Sequence, residues 1–593
     1  METSCGIEDR PYVVAAIAIE NLSFRYPRRS ALALRDVQLR IEEGECVLLL
    51  GPTGCGKSTL ALCLNGLIPQ LVGGEMQGRV FIREQDTRQT PVGELARQVG
   101  LVFQDPEAQF CMLTVEDEVA FGLENIGVPA QDMGARIVAA LALVGLSEQR
   151  HTRLDRLSGG MKQRLALAAV LALGARILIL DEPTSNLDPQ GTAEFFVHLA
   201  TLKRQGYTIV LIEHKLDELM DLGDATHPGQ GLVDQVVVWE SDGRIVATGN
   251  PHAVFQQQAG KLLEYGIWLP QVTELAYRLS RAGLPLERFP VNSAEARQLL
   301  LPFTAQGPGT ASAAQPALIS GRHNAIQAVG LEYTYPRGPQ VLRGLALEVQ
   351  RGELLALVGA NGSGKTTLAL SLCGILRPTH GQVLLDGADV SRLDGEQLAA
   401  QIGYVFQNPE HQFVTASVAD ELAYGLRLRH RPEEEVQGKV SAMLEQFGLT
   451  DQADVNPFKL SQGQKRRLSV ATMLVLGQEV LILDEPTFGQ DRSNAYRLMD
   501  EMRRLQQEGC TILFATHDMR LVAEYATRVA VLDEGRILFD GRPQDLFAQP
   551  ESLRRAQLQA PVLYALSQAL AAQSPRWPPL ATIAEYCSYL GAC

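Results

Sequence analysis

Short apolar runs alternate along the chain with longer, helix-like stretches. The runs at 45–51, 176–180 and 207–214 are rich in Leu, Ile and Val, whereas the stretch at 161–173 is helix-like. Short apolar strands that alternate with helices favour a mainly parallel sheet covered on both faces. The pattern therefore predicts an α/β architecture.

The chain also repeats its characteristic segments in the same order. GPTGCGKST at 51–59 returns as GANGSGKTT at 359–367, and VFQDPEAQF at 102–110 returns as VFQNPEHQF at 405–413. The copies are 308 residues apart for the first pair and 303 for the second. A period of that size indicates duplication of a whole domain rather than a short structural repeat.

Three further motifs keep the 303-residue offset: an LSGG-like segment, a strand that ends in Asp-Glu, and a histidine after another strand. Between the halves, the small-residue segment at 306–316 has the composition of a flexible linker. The predicted division is a first nucleotide-binding domain at 15–260, its C-terminal appendix and linker at 261–322, a second domain at 323–550, and a second appendix at 551–593.

Composition limits the possible functions. The 593 residues, 46% hydrophobic and 20% charged, suit several globular domains. A net charge of −15 argues against a nucleic-acid partner. Nine cysteines without CxxC spacing predict reduced thiols rather than a disulfide framework or a zinc site. Since no apolar run approaches the ~20 residues that span a bilayer, a membrane role would require a partner chain.

Each glycine-rich repeat has the spacing of a phosphate loop and lies between an apolar strand and a helical pattern. In such a loop, backbone N–H groups and the helix N-terminus face an anion, the lysine reaches the outer phosphates, and the hydroxyl is offered to Mg²⁺. The predicted phosphate-binding residues are Gly51, Gly54, Gly56, Lys57, Ser58, Thr59, Gly359, Gly362, Gly364, Lys365, Thr366 and Thr367, of which Ser58 and Thr366 would also hold Mg²⁺.

The Asp-Glu pair and the histidine supply candidate chemistry in each half. An aspartate there can hold Mg²⁺ through water, and the next glutamate can orient or deprotonate the attacking water. A lone histidine is usually structural, but recurrence at the same offset favours a contact with the γ-phosphate. The predicted Mg²⁺ carboxylates are Asp181 and Asp484, and the predicted catalytic residues are Glu182, Glu485, His214 and His517.

Together these motifs resemble those of the ATP-binding-cassette (ABC) ATPases. That family is marked by a Walker A loop, a glutamine loop, an LSGGQ-type signature, a Walker B Asp-Glu pair and a switch histidine, and all five occur here in order, twice. The resemblance implies two tandem P-loop NTPase cassettes, each with a mainly parallel sheet, a helical signature subdomain and a small C-terminal appendix. It also implies hydrolysis of ATP to ADP and phosphate, with Mg²⁺ as cofactor.

The resemblance assigns further residues to the nucleotide. Gln104 and Gln407 match the glutamine loop, which senses Mg²⁺ and water, and Tyr26 and Tyr335 match the adenine-stacking position, although a strand tyrosine packed on the core is the alternative. It further implies a head-to-tail sandwich in which each signature completes the other half's site. The signature residues concerned are Ser461 and Gly463 for the Lys57 site, and Ser158 and Gly160 for the Lys365 site.

The halves also depart from the family pattern. Met161 replaces the signature glutamine, Gln462 replaces a signature glycine, and the segments after the Walker B pair read SNLD and FGQD. We therefore expect two competent sites with unequal rates. Cys55 lies inside the first phosphate loop, where an inert thiol is favoured over a redox-sensitive one.

The element after each glutamine, QDPEAQF or QNPEHQF, resembles the energy-coupling factor (ECF) type of importer ATPase. The resemblance implies a peripheral position on the cytoplasmic face of the membrane, with a transmembrane coupling (T) protein and a membrane substrate-binding (S) protein as partners. Phe110 and Phe413 are predicted contacts with the coupling protein. The cargo would be a vitamin, a vitamin precursor or a transition-metal ion, and EPTFGQD in the second half resembles assemblies for thiamine-precursor uptake.

Two alternatives remain at this point. One is a fused ABC ATPase of a sugar or peptide importer. The other is a soluble twin-cassette ATPase that acts on ribosomes. Proteins of that class typically carry a long charged helical arm between the cassettes and an electropositive surface, whereas this chain has a small-residue spacer and an acidic balance.

Overall fold

The computed structural model describes residues 15–226, 231–305, 323–336 and 338–591. Their contacts divide the chain into two units, the first made of residues up to Leu187 together with Gly191–Leu269, and the second of Asp188–Gln190 together with all residues from Pro270 onward. The predicted linker at 306–316 lies outside the described residues.

The first unit contains two sheets. Four strands form an antiparallel sheet in the order β2-β1-β4-β5, and six form a mainly parallel sheet in the order β10-β9-β3-β8-β7-β6, where only β10 runs antiparallel to its neighbour. The strands are β1 (Ala15–Arg25), β2 (Leu34–Glu42), β3 (Cys46–Leu50), β4 (Glu75–Ile82), β5 (Gln85–Asp86), β6 (Val99–Val102), β7 (Ile177–Asp181), β8 (Thr208–Ile212), β9 (Gln235–Trp239) and β10 (Ile245–Gly249).

Helices follow the strands of the parallel sheet. The long helices α4, α5 and α6 pack on one another and form a helical subdomain between β6 and β7. The helices from the first half of the chain are α1 (Lys57–Leu64), α2 (Leu67–Gln70), α3 (Val92–Leu95), α4 (Val115–Asn125), α5 (Ala130–Leu143), α6 (Gly159–Ala172), α7 (Pro189–Arg204), α8 (Leu216–Thr226), α9 (Pro251–Glu264), α10 (Gln271–Arg281) and α11 (Ser293–Leu300).

The second unit repeats this arrangement. Its antiparallel sheet has the order β12-β11-β14-β15, and its mainly parallel sheet has the order β16-β17-β18-β13-β19-β20. The strands are β11 (Asn324–Thr334), β12 (Gln340–Gln350), β13 (Leu354–Val358), β14 (His380–Leu385), β15 (Ala388–Asp389), β16 (Ile402–Val405), β17 (Val480–Asp484), β18 (Thr511–Ala515), β19 (Arg528–Asp533) and β20 (Arg536–Gly541).

The helices of the second half follow the same plan, with α14 packing on both α15 and α16. They are α12 (Lys365–Leu372), α13 (Gly395–Gln401), α14 (Val418–Leu428), α15 (Glu433–Gln446), α16 (Gln462–Leu474), α17 (Arg492–Gln507), α18 (Met519–Tyr525), α19 (Pro543–Phe547), α20 (Pro550–Arg555), α21 (Val562–Ala571) and α22 (Ile583–Tyr589). In the described ranges, no helix is both long enough and apolar enough to cross a membrane.

The predicted fold class is confirmed. Strands β3, β8, β13 and β18 are buried at every position, as expected for strands covered on both faces. The antiparallel sheet of each half was not predicted. Its first strand alternates only in part between buried and exposed residues and contains register shifts, so its sequence gives a weak period-two signal.

The second unit also contains a small helical layer, which we call the C-terminal layer. Helices α10 and α11 follow the first half in the chain, yet they pack against α21 and α22 near its end. The layer has its own apolar core, which includes Leu275, Leu279, Leu566, Trp577 and Tyr586.

A buried ion pair joins this layer to the second unit's helix α17. The Glu274 carboxylate is 2% exposed and accepts hydrogen bonds from Arg492, the first residue of α17, and from the half-exposed Arg278. Burial alone would raise the pKa of Glu274, but the two arginines outweigh it and hold the pKa below its usual value. The carboxylate is therefore ionised at neutral pH, and the stability that the pairs contribute should be lost as the pH falls through that lowered pKa.

Replacing Arg492 by Met should therefore destabilise the C-terminal layer. Among the described hydrogen-bond donors the substitution leaves Glu274 with Arg278, and breaking a buried ion pair typically costs about 3–5 kcal/mol. Urea denaturation followed by the fluorescence of Trp577, in a background where Trp239 and Trp268 are Phe, would measure the loss. Arg278→Met is the matched control and should cost less than about 1 kcal/mol, because that arginine is half exposed. Equal losses in the two variants would contradict this interpretation.

Candidate functional site

The first phosphate loop joins the buried strand β3 to helix α1. Gly56, directly before the helix, has φ of +107°, and a Cβ there would lie 2.3 Å from the Ala33 carbonyl oxygen, so only glycine fits. The buried Lys57 ammonium donates to the carbonyl oxygens of Gly51 at 2.7 Å and Pro52 at 3.0 Å. The loop thus places a cation beside the N-terminus of a helix that has no side-chain cap. This combination attracts an anion.

The second phosphate loop has the same geometry. Gly364 has φ of +107°, and the buried Lys365 ammonium donates to the carbonyl oxygens of Gly359 at 2.8 Å and Ala360 at 3.0 Å. Burial lowers the pKa of Lys365, although Glu485 and other nearby carboxylates oppose the change. Gly54 and Gly362 lie at equivalent points in the two loops, both with positive φ. The glycine, lysine and hydroxyl residues predicted in each repeat are therefore brought together within each unit.

Each loop hydroxyl meets the aspartate that ends β7 or β17, which lies two strands away from the strand before the loop. Thr366 Oγ1 donates to Asp484 Oδ2 at 2.7 Å, and Ser58 makes the corresponding hydrogen bond to Asp181. Burial raises the pKa of both aspartates. A hydroxyl and a carboxylate are hard oxygen ligands of the kind that Mg²⁺ takes together with water, so these residues fit the predicted cation site.

In the first unit, the glutamate after the strand is held by two side chains. Gln104 Nε2 donates to Glu182 Oε2 at 2.8 Å, and His214 Nε2 lies 3.1 Å from Glu182 Oε1. Burial alone would raise the pKa of Glu182, but His214 and Lys57 outweigh it, and the pKa is held below its usual value. The carboxylate is thus ionised and oriented, as a general base requires.

The second unit pairs the equivalent glutamate and histidine through a different ring atom. His517 Nδ1 lies 3.2 Å from Glu485 Oε1. Both glutamates have φ of +46°, a left-handed conformation that is rare for residues other than glycine and that often accompanies functional positions. Gln407, the counterpart of Gln104, accepts a hydrogen bond from Arg466 on its main-chain carbonyl oxygen.

The two predicted adenine-stacking tyrosines occupy equivalent places. Each hydroxyl lies 3.1 Å from the Oγ1 of the threonine that follows the loop hydroxyl, Tyr26 beside Thr59 and Tyr335 beside Thr367. Each ring also meets a buried aromatic residue edge-on, with centroids 4.9 Å apart. The tyrosines therefore border the phosphate loops and remain partly exposed, while their contact with adenine stays a prediction.

Each signature motif begins a helix. Ser158 is the N-cap of α6 and accepts from the Met161 amide at 3.3 Å, and Ser461 is the N-cap of α16 and accepts from the Gln464 amide at 3.3 Å. Gln464 also returns its side chain to the Ser461 amide, which completes a capping box that Met161 cannot form. Gly160 and Gly463 lie in the first turns of these helices.

The structure places one predicted partner contact in the core. Phe413, expected to be a partner contact, is 6% exposed and belongs to the hydrophobic core, whereas the next residue, Val414, is 65% exposed. Sequence reasoning also missed Tyr404, which donates to the Asp484 carboxylate, and Arg466, which donates to the main-chain carbonyl oxygen of Glu485. Aligning the two halves at the 303-residue offset could have found both, since the first half has different residue types there.

The Cys55 thiol is buried within the first phosphate loop. Its Sγ lies 3.8 Å from Lys57 Nζ, and burial raises its pKa even though the lysine opposes the change. A buried thiol with a raised pKa carries little thiolate and reacts slowly. These observations support the prediction of an inert thiol.

Comparison with known proteins identifies the family. The sequence profile described as "ABC transporter" matches residues 34–185 and 342–488. A protein of Methanosarcina mazei named "Putative ABC transporter ATP-binding protein" is 39% identical over 589 residues, which covers 98% of each chain. The chain belongs to the ABC transporter family. Both cassettes of this ABC ATPase therefore bind ATP, and its hydrolysis is coupled to transport.

Two further comparisons are more specific in name. A Bacillus subtilis protein named "Putative HMP/thiamine import ATP-binding protein YkoD" is 39% identical to this ABC ATPase over 558 residues, covering 92% of this chain and 95% of the other. The solved structure of cbiO1 from Clostridium perfringens, described as part of the ABC transporter complex cbiONQ, is 37% identical and covers 39% of this chain and 94% of that one, with a TM-score of 0.36.

The inert-thiol interpretation makes a direct prediction. Iodoacetamide at neutral pH should alkylate the exposed Cys111 at least about tenfold faster than Cys55, because Cys55 is buried and burial raises its pKa. Peptide mass spectrometry over a time course would measure both rates in one sample, and the same protein in urea, where both thiols should react alike, is the control. Alkylation of Cys55 as fast as Cys111 in the native ATPase would disprove the prediction.

Proposed function

We propose that this ABC ATPase energises an ECF-type importer from the cytoplasmic face of the membrane, as a peripheral subunit bound to a transmembrane coupling (T) protein and a membrane substrate-binding (S) protein. The catalytic part rests on one observation, that each cassette holds a glutamate–histidine pair beside a phosphate-loop lysine. The importer class is supported by the glutamine-loop elements and by similarity over most of the chain to a protein named for HMP/thiamine import. The cargo would be a vitamin, a vitamin precursor or a transition-metal ion.

The reaction at each site follows from the geometry of the carboxylates. Glu182 and Glu485 act as general bases that orient the attacking water and accept its proton, while Lys57 and Lys365 stabilise negative charge on the outer phosphates. In the first cassette Gln104 and His214 fix the base by hydrogen bonds to its two oxygens. In the second cassette His517 meets the base.

Mg²⁺ would be held by the loop hydroxyl and the strand-end aspartate of each cassette, Ser58 with Asp181 and Thr366 with Asp484, and Gln104 or Gln407 would complete the shell. When bound, it neutralises charge on the phosphates. Each signature would complete the site of the other cassette: Ser158 and Ser461 cap helices whose first N–H groups can donate to a γ-phosphate. ADP lacks that phosphate, so hydrolysis would release the clamp.

Removing the carboxylate charge tests whether both sites turn over. Glu182→Gln and Glu485→Gln should each lower hydrolysis at the altered site by about 10²–10⁴-fold, the usual effect of losing an acid–base group. Steady-state phosphate release by the purified chain would measure it, and the two residual rates should differ because the sites are unequal.

The exposed glutamates Glu94 and Glu396 provide matched controls, and their change to Gln should leave turnover within about twofold. Binding of a fluorescent ATP analogue should persist in the catalytic variants, which separates loss of chemistry from loss of the site. If either catalytic variant retained full ATP turnover, the altered site would be silent and the proposal of two active sites would be wrong.

The surface around the glutamine loops is the proposed contact with the coupling protein. Leu113 and Val414 are 67% and 65% exposed and follow the short 3₁₀ turn after each glutamine. Phe458, beside the second signature, is also exposed, and its ring packs edge-on against that of Phe413 at 6.0 Å. Exposed apolar side chains in such positions are typical of protein contacts.

Changing Leu113 and Val414 together to Asp should uncouple transport from hydrolysis. We expect substrate uptake by the reconstituted complex to fall at least about tenfold, since charged groups would be buried in an apolar contact, while basal ATP turnover stays within about twofold. The control is the same exchange at Leu71 and Ile375, which are equally apolar and exposed but lie outside this surface.

Uptake of labelled HMP and thiamine should be measured first, followed by Co²⁺ and Ni²⁺. Co-purification of the chain from detergent-solubilised membranes with a polytopic coupling protein and a small hydrophobic substrate binder would support the ECF class. Capture of a sugar or peptide permease pair, or of ribosomes, in their place would refute it.

A further inference from the structure

The two catalytic sites have the same backbone arrangement but differ in the side chains that surround their carboxylate residues. At the 303-residue offset, the residue three positions before the loop glutamine is Leu101 in the first cassette and Tyr404 in the second. A second difference lies in the signature helices, where Gln163 in α6 corresponds to Arg466 in α16. Both changes alter the hydrogen bonds of the second unit: Tyr404 donates to the Asp484 side chain, and Arg466 donates to the main chain at Glu485.

Tyr404 acts on the aspartate. Its hydroxyl donates to Asp484 Oδ2 at 3.1 Å, the same oxygen that accepts from Thr366 Oγ1 at 2.7 Å. The ring is buried, and it packs edge-on against Phe406 with centroids 4.7 Å apart. Asp484 Oδ2 thus accepts hydrogen bonds from two side chains. The aliphatic Leu101 can supply no such bond to Asp181.

Arg466 acts on the main chain around the glutamate. Its buried guanidinium donates to the carbonyl oxygens of Phe406 and Gln407 in the glutamine loop and, at 3.4 Å, to that of Glu485. A guanidinium can hold several acceptors at fixed angles because its donors form a rigid plane. Gln163 in the first cassette makes a single bond of this kind, to the Phe103 carbonyl at 3.4 Å.

We propose that Tyr404 and Arg466 form a carboxylate brace that makes the second cassette the tighter divalent-cation site and the faster catalytic site of the pair. The brace works through positioning: neither residue reaches the nucleotide, but together they fix the Asp484 side chain and the Glu485 backbone. Partners behind metal-binding side chains typically change metal affinity by about 10–100-fold when they are lost. The inference depends on the proposed ATP and Mg²⁺ sites.

The test uses Mn²⁺ in place of Mg²⁺, with the non-hydrolysable analogue adenylyl imidodiphosphate and the full-length chain. Free Mn²⁺, measured by electron paramagnetic resonance, should reveal a tighter and a weaker site in the unaltered protein. Asp484→Asn should remove the tighter one, and Asp181→Asn the weaker. Tyr404→Phe, which keeps the ring and loses the hydroxyl, should weaken the tighter site about 10-fold and leave the other unchanged.

Tyr525→Phe is the matched control. That buried tyrosine donates to Asp500 Oδ1 at 2.6 Å, a bond of the same type between α18 and α17. Tyr525→Phe should lower the stability of the fold about as much as Tyr404→Phe does, without altering Mn²⁺ affinity, which separates positioning from a general structural role.

Arg466→Gln, which restores the first cassette's residue, should lower turnover about 3–10-fold with the KM for ATP unchanged, because the arginine holds the base rather than the nucleotide.

Three results would overturn the inference: unchanged Mn²⁺ affinity in Tyr404→Phe, loss of the tighter site in Asp181→Asn, or a rise in KM that accounts for the whole effect of Arg466→Gln. Any of these three results would leave the proposed function intact, as long as the unaltered protein binds two Mn²⁺–nucleotide complexes. Failure of the unaltered protein to bind them would overturn the proposed function as well.

Discussion

The contact on which both cassettes depend is that of a buried lysine ammonium with the carbonyl oxygens of its own glycine-rich loop. A buried cation needs such acceptors, because an unsolvated charge in a protein interior is costly. The acceptors can converge on it only if the backbone turns through left-handed conformations, which glycine allows without strain. Once the loop has closed around the lysine, the first turn of the next helix points at the same space as the aspartates that end β7 and β17. A charge-binding site is thus assembled at one edge of a parallel sheet.

The sequence predicted this part of the molecule well because it is encoded locally. Loop glycines, the lysine and the strand-end acids lie at short, fixed spacings, and the duplication supplied an internal check on each. Interactions between distant segments were less accessible. The burial of Phe413 depends on helices that pack over it, and the pairing of α10 and α11 with α21 and α22 joins segments about 290 residues apart. The hydrogen bond from Tyr404 to Asp484 likewise joins two strands, and no local pattern reports it.

After duplication the backbone architecture of the two cassettes stayed alike, whereas some side chains around their sites diverged. Sheet order, loop geometry, the left-handed glutamates and their contact with a histidine recur in both halves, whereas the counterparts Leu101 and Tyr404, and Met161 and Gln464, differ. The shared features are those that backbone geometry enforces. The differing ones tune a hydrogen bond or a charge without moving the chain. Asymmetry between two linked sites can therefore evolve while the fold stays the same.

The C-terminal layer has a consequence for how the chain comes into being. Helices α10 and α11 leave the ribosome long before α21 and α22 are made, and until then the apolar side chains that will form their common core have no cover. During synthesis the apolar surface of α10 and α11 therefore stays exposed until the last segment of the polypeptide is made. A gene split between the cassettes would separate the two halves of this core into different products. The fused reading frame keeps both helix pairs in one molecule, so that each is present at a high local concentration near the other.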